Sequence, residues 1–123
     1  MSHVGKSLLI IDDDAFIVEL VTSVAEGEGY EVGAADSPDT LAACLERRWS
    51  VTLLDLTMPD LDAVTALRMI ADAQPGSEIL VFSGAEEERV RSATTVAGFY
   101  GLTVIGSLAK GQGLPALQEI LRR

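Results

Sequence analysis

The sequence has one cysteine, Cys44, one histidine, His3, and aromatic side chains at only 5% of its 123 positions. A lone cysteine permits no internal disulfide. The lone histidine sits three residues from the start, in a tail expected to be loose, and leaves no base for a serine hydrolase. No apolar run reaches the roughly 18 to 20 residues needed to cross a bilayer, and Met1 to Lys6 lacks the apolar core of a secretory signal. The expected location is the cytoplasm, away from any membrane. Basic residues are scarce as well: nine Lys and Arg stand against nineteen Asp and Glu, for a formal net charge of −10. That balance repels a phosphate backbone and offers no basic stripe to release counterions, which argues against direct nucleic-acid binding. It is compatible with a cation site or a basic protein partner.

Glycine-rich phosphate loops are missing too. A dinucleotide-binding enzyme needs such a turn after its first strand, where this chain has Asp12-Asp13-Asp14-Ala15-Phe16. Neither a P-loop nor a G-x-S-x-G elbow is present, so the common enzymes of an α/β scaffold find no support and a non-enzymatic role is expected.

What is present is a repeated unit. The length suits one domain over residues 1–123, with 1–6 as the tail, and 48% hydrophobic residues suffice for one core. Ser7 to Ile11 is a short apolar run ending in three aspartates, as expected of a buried strand that opens into a polar crevice. From Ala15 to Ala25, Phe16, Ile17, Leu20, Val21 and Val24 recur at helical spacing, with Asp14 placed as cap and glycines 27 and 29 as stops. Tyr30 to Ala35 reads as a second strand, and Ser37-Pro38-Asp39 opens a helix expected to run to Arg48, with Cys44 buried beside Leu41 and Leu45. Val51 to Leu54 is a third strand, followed by helical spacing at Val64, Leu67, Ile70 and Ala71. Glu78 to Phe82, a polar helix from Glu86 to about Gly98, a strand over Leu102 to Ile105 and a helix over Leu114 to Leu121 complete the pattern. Five strands alternating with five helices imply a doubly wound α/β fold, a parallel sheet covered on both faces.

In such sheets ligands bind beyond the carboxyl ends of the strands. Asp12 and Asp13 follow the first strand, Asp55 the third, Ser83 the fourth and Lys110 the fifth. Any one of these is most often a helix cap or ordinary surface polarity. If the first and third strands are neighbours, however, the three carboxylates converge, and clustered like charges call for a cation. Oxygen-only ligation in a small open site suits Mg²⁺. A hydroxyl and an ammonium at the same edge could hold a phosphoryl group.

The stretches Leu8-Leu9-Ile10-Ile11-Asp12-Asp13-Asp14, Leu53-Leu54-Asp55-Leu56-Thr57-Met58-Pro59, Ile79-Leu80-Val81-Phe82-Ser83-Gly84 and Leu108-Ala109-Lys110 together resemble the response-regulator receiver family of two-component signalling, over essentially the whole chain. The resemblance implies a flavodoxin-like sheet of order 2-1-3-4-5. It implies Asp55 as phosphoacceptor, with Asp12, Asp13, Asp55 and the backbone carbonyl of Thr57 around Mg²⁺. By the same likeness Ser83 is the switch hydroxyl and Lys110 pairs with the phosphoryl group. The implied donor is a sensor histidine kinase or a histidine phosphotransfer protein. With Ser83 and Lys110 as the contacts that respond, the expected output is an effector domain or homodimer engaged through the face of helix four, strand five and helix five, with exposed Phe99 or Tyr100 as an anchor.

Several positions depart from the family pattern. Asp60 and Ala63 stand where glycines are common, Gly111 replaces the proline that usually follows the lysine across a cis bond, and Ser107 replaces an aromatic. A cis bond to a residue other than proline costs roughly 2.5 to 4 kcal/mol, so a trans peptide is expected after Lys110. These departures keep a second reading in view, a receiver-like module that binds a partner constitutively and never takes phosphate.

Overall fold

The computed structural model describes residues 5–84, 87–111 and 113–122; His3, Ala85, Glu86 and Gln112 lie outside them. Its elements alternate as β1 (Lys6–Ile11), α1 (Ala15–Gly27), β2 (Tyr30–Ala35), α2 (Pro38–Cys44), β3 (Val51–Asp55), α3 (Ala63–Ala73), β4 (Glu78–Ser83), α4 (Glu87–Phe99), β5 (Thr103–Ala109) and α5 (Gly113–Leu121). All strand pairings are parallel and the order is β2-β1-β3-β4-β5. This is the expected flavodoxin-like arrangement.

Side-chain alternation divides the core into two layers. Leu8, Ile10, Val51, Leu53, Leu80 and Phe82 pack under α1 and α5, while Leu9, Ile11, Leu54, Ile79 and Val81 pack under α2, α3 and α4. Central strands buried on both faces read as unbroken apolar runs for this reason.

The caps at two helix starts are those expected. Asp14 accepts from the backbone N–H groups of Phe16 and Ile17, and Ser37 forms a reciprocal capping box with Thr40 ahead of Pro38. Other expectations need correction. Strand one begins at Lys6, whose ammonium lies 5.5 Å from the Tyr30 ring centroid, so the loose segment cannot include it. Helix two stops at Cys44 instead of Arg48. The Cys44 carbonyl accepts the Trp49 indole N–H at 2.9 Å, and the buried Gln74 side chain takes both the Arg47 carbonyl and the Trp49 N–H, drawing the chain off the helical path. Cys44 is therefore half-buried and not a core thiol. The Trp49 ring closes on β2 where a Cβ at Gly33 would come within 2.4 Å of it, so glycine there makes room for the indole.

Strand five is longer than expected because Gly106 and Ser107 interrupt its apolar pattern without interrupting its ladder. A register shift between Ile79 and Leu80 accommodates one extra β5 residue. Val64 and Phe16 belong to the expected helical stripes yet are 49% and 66% exposed. Leu61 and Ala66 supply the buried contacts near α3 instead.

Candidate functional site

Hydrogen bonding carries three of the strands one step into the loop that follows. Asp12 N–H donates to the Ala35 carbonyl at 3.1 Å, Leu56 N–H to the Phe82 carbonyl at 3.2 Å, and Lys110 N–H to the Ser83 carbonyl at 3.1 Å. The polar residues after β1, β3 and β5 are thus held by the sheet instead of riding on free loops. β1 and β3 are neighbours, with Ile11 paired to Leu54, which brings the first acidic pair to Asp55.

Oxygens of Asp12, Asp13 and Asp55 all lie within 4.8 Å of one another. Asp12 and Asp55 are each 2% exposed, whereas Asp13 is open to solvent. One Asp12 oxygen, Oδ1, accepts the Asp14 N–H at 2.9 Å. Asp55 Oδ1 accepts the Thr57 N–H at 3.0 Å and the Thr57 hydroxyl at 2.8 Å. The remaining oxygens, Asp12 Oδ2 and Asp55 Oδ2, are buried without a hydrogen-bond partner. Such atoms are expensive unless something complements them.

Lys110 supplies partial compensation. Its Nζ is 3.1 Å from Asp55 Oδ1 and 4.0 Å from Asp12 Oδ2, and 3.5 Å from the Thr57 hydroxyl. The peptide after Lys110 is trans, as expected. Burial pushes the Asp12 carboxyl up to about 6, and the nearby Asp55 charge adds to this, against lowering by the Asp14 N–H and by Lys110.

Ser83 closes β4, one position beyond Phe82, which pairs with Asp55. Its side chain is 4% exposed and borders a cavity of about 430 Å³ between β5 and α4, shared with Glu87, Val90, Arg91, Ser107 and Leu108. Ser107 is too small to fill that space. At the far end of α4, Phe99 is 86% exposed and meets Tyr100 edge-on at 5.8 Å. Tyr100 is only half-buried and packs on the core, so Phe99 alone of the two is fully presented.

All six side chains or loops singled out from the sequence therefore gather at one edge of the sheet. Sequence reasoning missed the Thr57 hydroxyl, for which only the backbone carbonyl had been expected to matter. A hydroxyl two residues after a strand-end aspartate is the signal that could have revealed it, because that spacing lets a side chain turn back onto the carboxylate.

A family model described as response regulator receiver domain matches residues 8–122. The chemotaxis protein CheY of Thermotoga maritima is 27% identical over 96 residues, covering 76% of this chain and 80% of that protein. A probable transcriptional regulatory protein of Mycobacterium tuberculosis, TcrX, is 27% identical over 93 residues, covering 75% of this chain but only 40% of its own length. Among solved structures, the chemotaxis response regulator CheY4 of Vibrio cholerae superposes with a TM-score of 0.80 at 21% identity, covering 98% of each chain.

Proposed function

Because the chain belongs to the response-regulator receiver family, we propose that it takes a phosphoryl group onto Asp55 from a phosphohistidine, in a Mg²⁺-dependent reaction. The donor is a sensor histidine kinase or a histidine phosphotransfer protein. One observation carries this reading: two buried carboxylate oxygens, on Asp12 and Asp55, accept no hydrogen bond and lie in a cluster of three acids. At neutral pH that arrangement complements a small hard dication, which prefers carboxylate oxygens and keeps several waters. Asp12, Asp13, Asp55 and the backbone carbonyl of Thr57 would hold the ion. When bound, Mg²⁺ supplies neutralisation of the charge on the phosphoryl oxygens during transfer.

The rest follows from the chain's own groups. An Asp55 carboxylate oxygen forms a bond to phosphorus while the phosphorus–nitrogen bond of the donor breaks. The imidazole leaves with the bonding electron pair and the product is an aspartyl phosphate. Lys110, already paired with Asp55, shifts to a phosphoryl oxygen as the carboxylate loses its charge, and the Ser83 hydroxyl turns to donate to another. The output is a changed surface on α4, β5 and α5, read by an effector domain or a second copy. The chain spans 40% of TcrX, and any further activity of a longer regulator would lie with other segments. No helix among the described residues is long and apolar enough to cross a membrane, and the net charge of −10 disfavours nucleic acid, so a cytoplasmic protein partner is the reading that fits.

Mass spectrometry after treatment with phosphoramidate and Mg²⁺ tests the proposal. One phosphoryl group should add to the wild type and none to Asp55→Asn. Equal labelling of the two would remove Asp55 from the reaction. No labelling of either would favour a constitutive interaction module.

A further inference from the structure

Donors around Asp55 are unevenly divided between its two oxygens, and Thr57 is the cause. Oδ1 receives the Thr57 N–H at 3.0 Å, the Thr57 hydroxyl at 2.8 Å and the Lys110 ammonium at 3.1 Å, while Oδ2 receives none. The same hydroxyl lies 3.5 Å from Lys110 Nζ. A hydroxyl has one proton to give and lone pairs to receive, so this one can donate to the carboxylate while accepting from the ammonium.

We propose that the Thr57 hydroxyl is a positioning residue that holds the Asp55 carboxylate and the Lys110 ammonium in register for phosphoryl transfer. The inference rests on Asp55 being the acceptor. Two features give the hydroxyl something to do. An aspartate's terminal torsion has a broad profile, so the backbone N–H bond alone leaves the carboxylate plane free to rock. A second donor at the same oxygen restricts it.

The second feature is the lysine loop. The Lys110 N–H is held by the Ser83 carbonyl, but Gly111 after it has no side chain and open space around its Cα, so no neighbouring side chain there steers the lysine stem. Lys110 is a flexible stem carrying a point charge, and its aim is set by its acceptors. Those acceptors are Asp55, Asp12 and the Thr57 hydroxyl. As phosphoryl transfer removes the charge on Asp55, the Thr57 hydroxyl remains as a neutral acceptor that keeps the ammonium at the site.

Thr57 is exposed, so Thr57→Val preserves shape and branching and disturbs no packed layer. Phosphorylation by phosphoramidate is followed at saturating Mg²⁺ for the wild type, Thr57→Val and Thr57→Ser. In Thr57→Val the limiting rate constant is expected to fall roughly three- to tenfold, the loss of one hydrogen bond to a charged group, with half-saturating donor concentration moving less than twofold. Thr57→Ser should recover the rate to within about twofold. As an independent readout, the Lys110 ammonium resonance in ¹⁵N NMR of the unphosphorylated protein should be protected in the wild type and Thr57→Ser and broadened in Thr57→Val. A wild-type rate and ammonium signal in Thr57→Val would overturn the inference, as would an equal rate loss in Thr57→Ser, which would point to the methyl group. If the wild type took no label on Asp55, the acceptor reading would fail first; an ammonium signal lost in Thr57→Val would then still support the pairing of Thr57 with Lys110.

Discussion

Lys110 Nζ stands 3.1 Å from Asp55 Oδ1, which places a cation against a carboxylate that is 2% exposed. The lysine side chain is 24% exposed, so the pair is neither fully screened nor fully desolvated. Removing one partner of a buried pair costs more than the pair contributes, because the other charge is left uncompensated. In Lys110→Met, metal-free stability should drop by about 1–2 kcal/mol, and Mg²⁺ should restore most of it. Labelling by phosphoramidate should slow on the order of a hundredfold, as when a transition-state donor is removed. Urea melts with and without Mg²⁺ check the first part, and a metal-free melt unchanged from wild type would show that the lysine does not compensate the acids.

Asp12 gives a pH dependence of definite sign. Its carboxyl is raised by burial, and further by Asp55, from the ordinary value of 3.8 to about 6. Between those values the folded chain keeps a proton that the unfolded chain has released. The stabilising contribution is therefore complete below about pH 4 and is lost as pH rises through about 6. At pH 7 an ionised Asp12 weakens the metal-free fold. Asp12→Asn should be more stable than wild type there by about 1–3 kcal/mol, with the difference shrinking towards pH 4. Mg²⁺ should raise the melting temperature of the wild type and not of the variant. Thermal melts across this range decide it, and a wild type more stable than the variant at pH 7 without metal would contradict the assignment.

The acidic triplet separates into metal and cap roles. Asp14 Oδ1 accepts from Phe16 N–H at 3.0 Å and Ile17 N–H at 3.4 Å, while Asp13 belongs to the three-acid cluster. Asp13→Ala should weaken Mg²⁺ binding more than Asp14→Ala. Asp14→Ala should instead cost about 1 kcal/mol of stability, as for loss of a helix cap. Calorimetric titration and denaturant melts give the two numbers, and equal losses of Mg²⁺ affinity would mean that the register of the triplet is misread.

The fold was legible because central strands in a parallel sheet are buried on both faces, so β1, β3 and β4 appear as plain apolar runs ending in polar residues. Asp12, Asp13, Asp55 and Ser83 could be placed at one end of the sheet for the same reason, each lying where such a run stops, whereas Lys110 follows the edge strand β5 and its place was read from the resemblance and the strand order. The failures have local causes. Helix two was read four residues too long because Leu45 continues its apolar spacing, whereas tertiary hydrogen bonds from Trp49 and Gln74 turn the chain away. Strand five was cut short because Gly106 and Ser107 lie on an edge strand, where burial does not enforce an apolar pattern. The Thr57 hydroxyl went unread because nothing in periodicity shows where a loop side chain turns.

Transmission should run through Ser83. Its carbonyl accepts the Lys110 N–H at 3.1 Å, so the loops after β4 and β5 are joined by backbone as well as by the site. On the other side of Ser83 lies the cavity of about 430 Å³ bordered by Val90, Arg91 and Ser107. Because Ser107 leaves that space open, no large side chain has to rotate with the hydroxyl, and a shift of Ser83 can be answered by α4 closing on β5. Phosphorylation moves a two-state equilibrium only through contacts that differ between the states. The candidate contacts are those of Ser83 and Lys110. Amide hydrogen exchange with and without a beryllofluoride phosphoryl mimic should therefore change over residues 83–88, the rest of α4 and the residues after Lys110, with little change on α1 and α2. Phe99, 86% exposed at the end of α4, would carry the change to a partner. Ser83→Ala should bind the mimic yet show a smaller response on α4. If protection shifted mainly on α1 and α2, or if Ser83→Ala kept the full pattern, the route from Asp55 through Ser83 to this face would have to be given up.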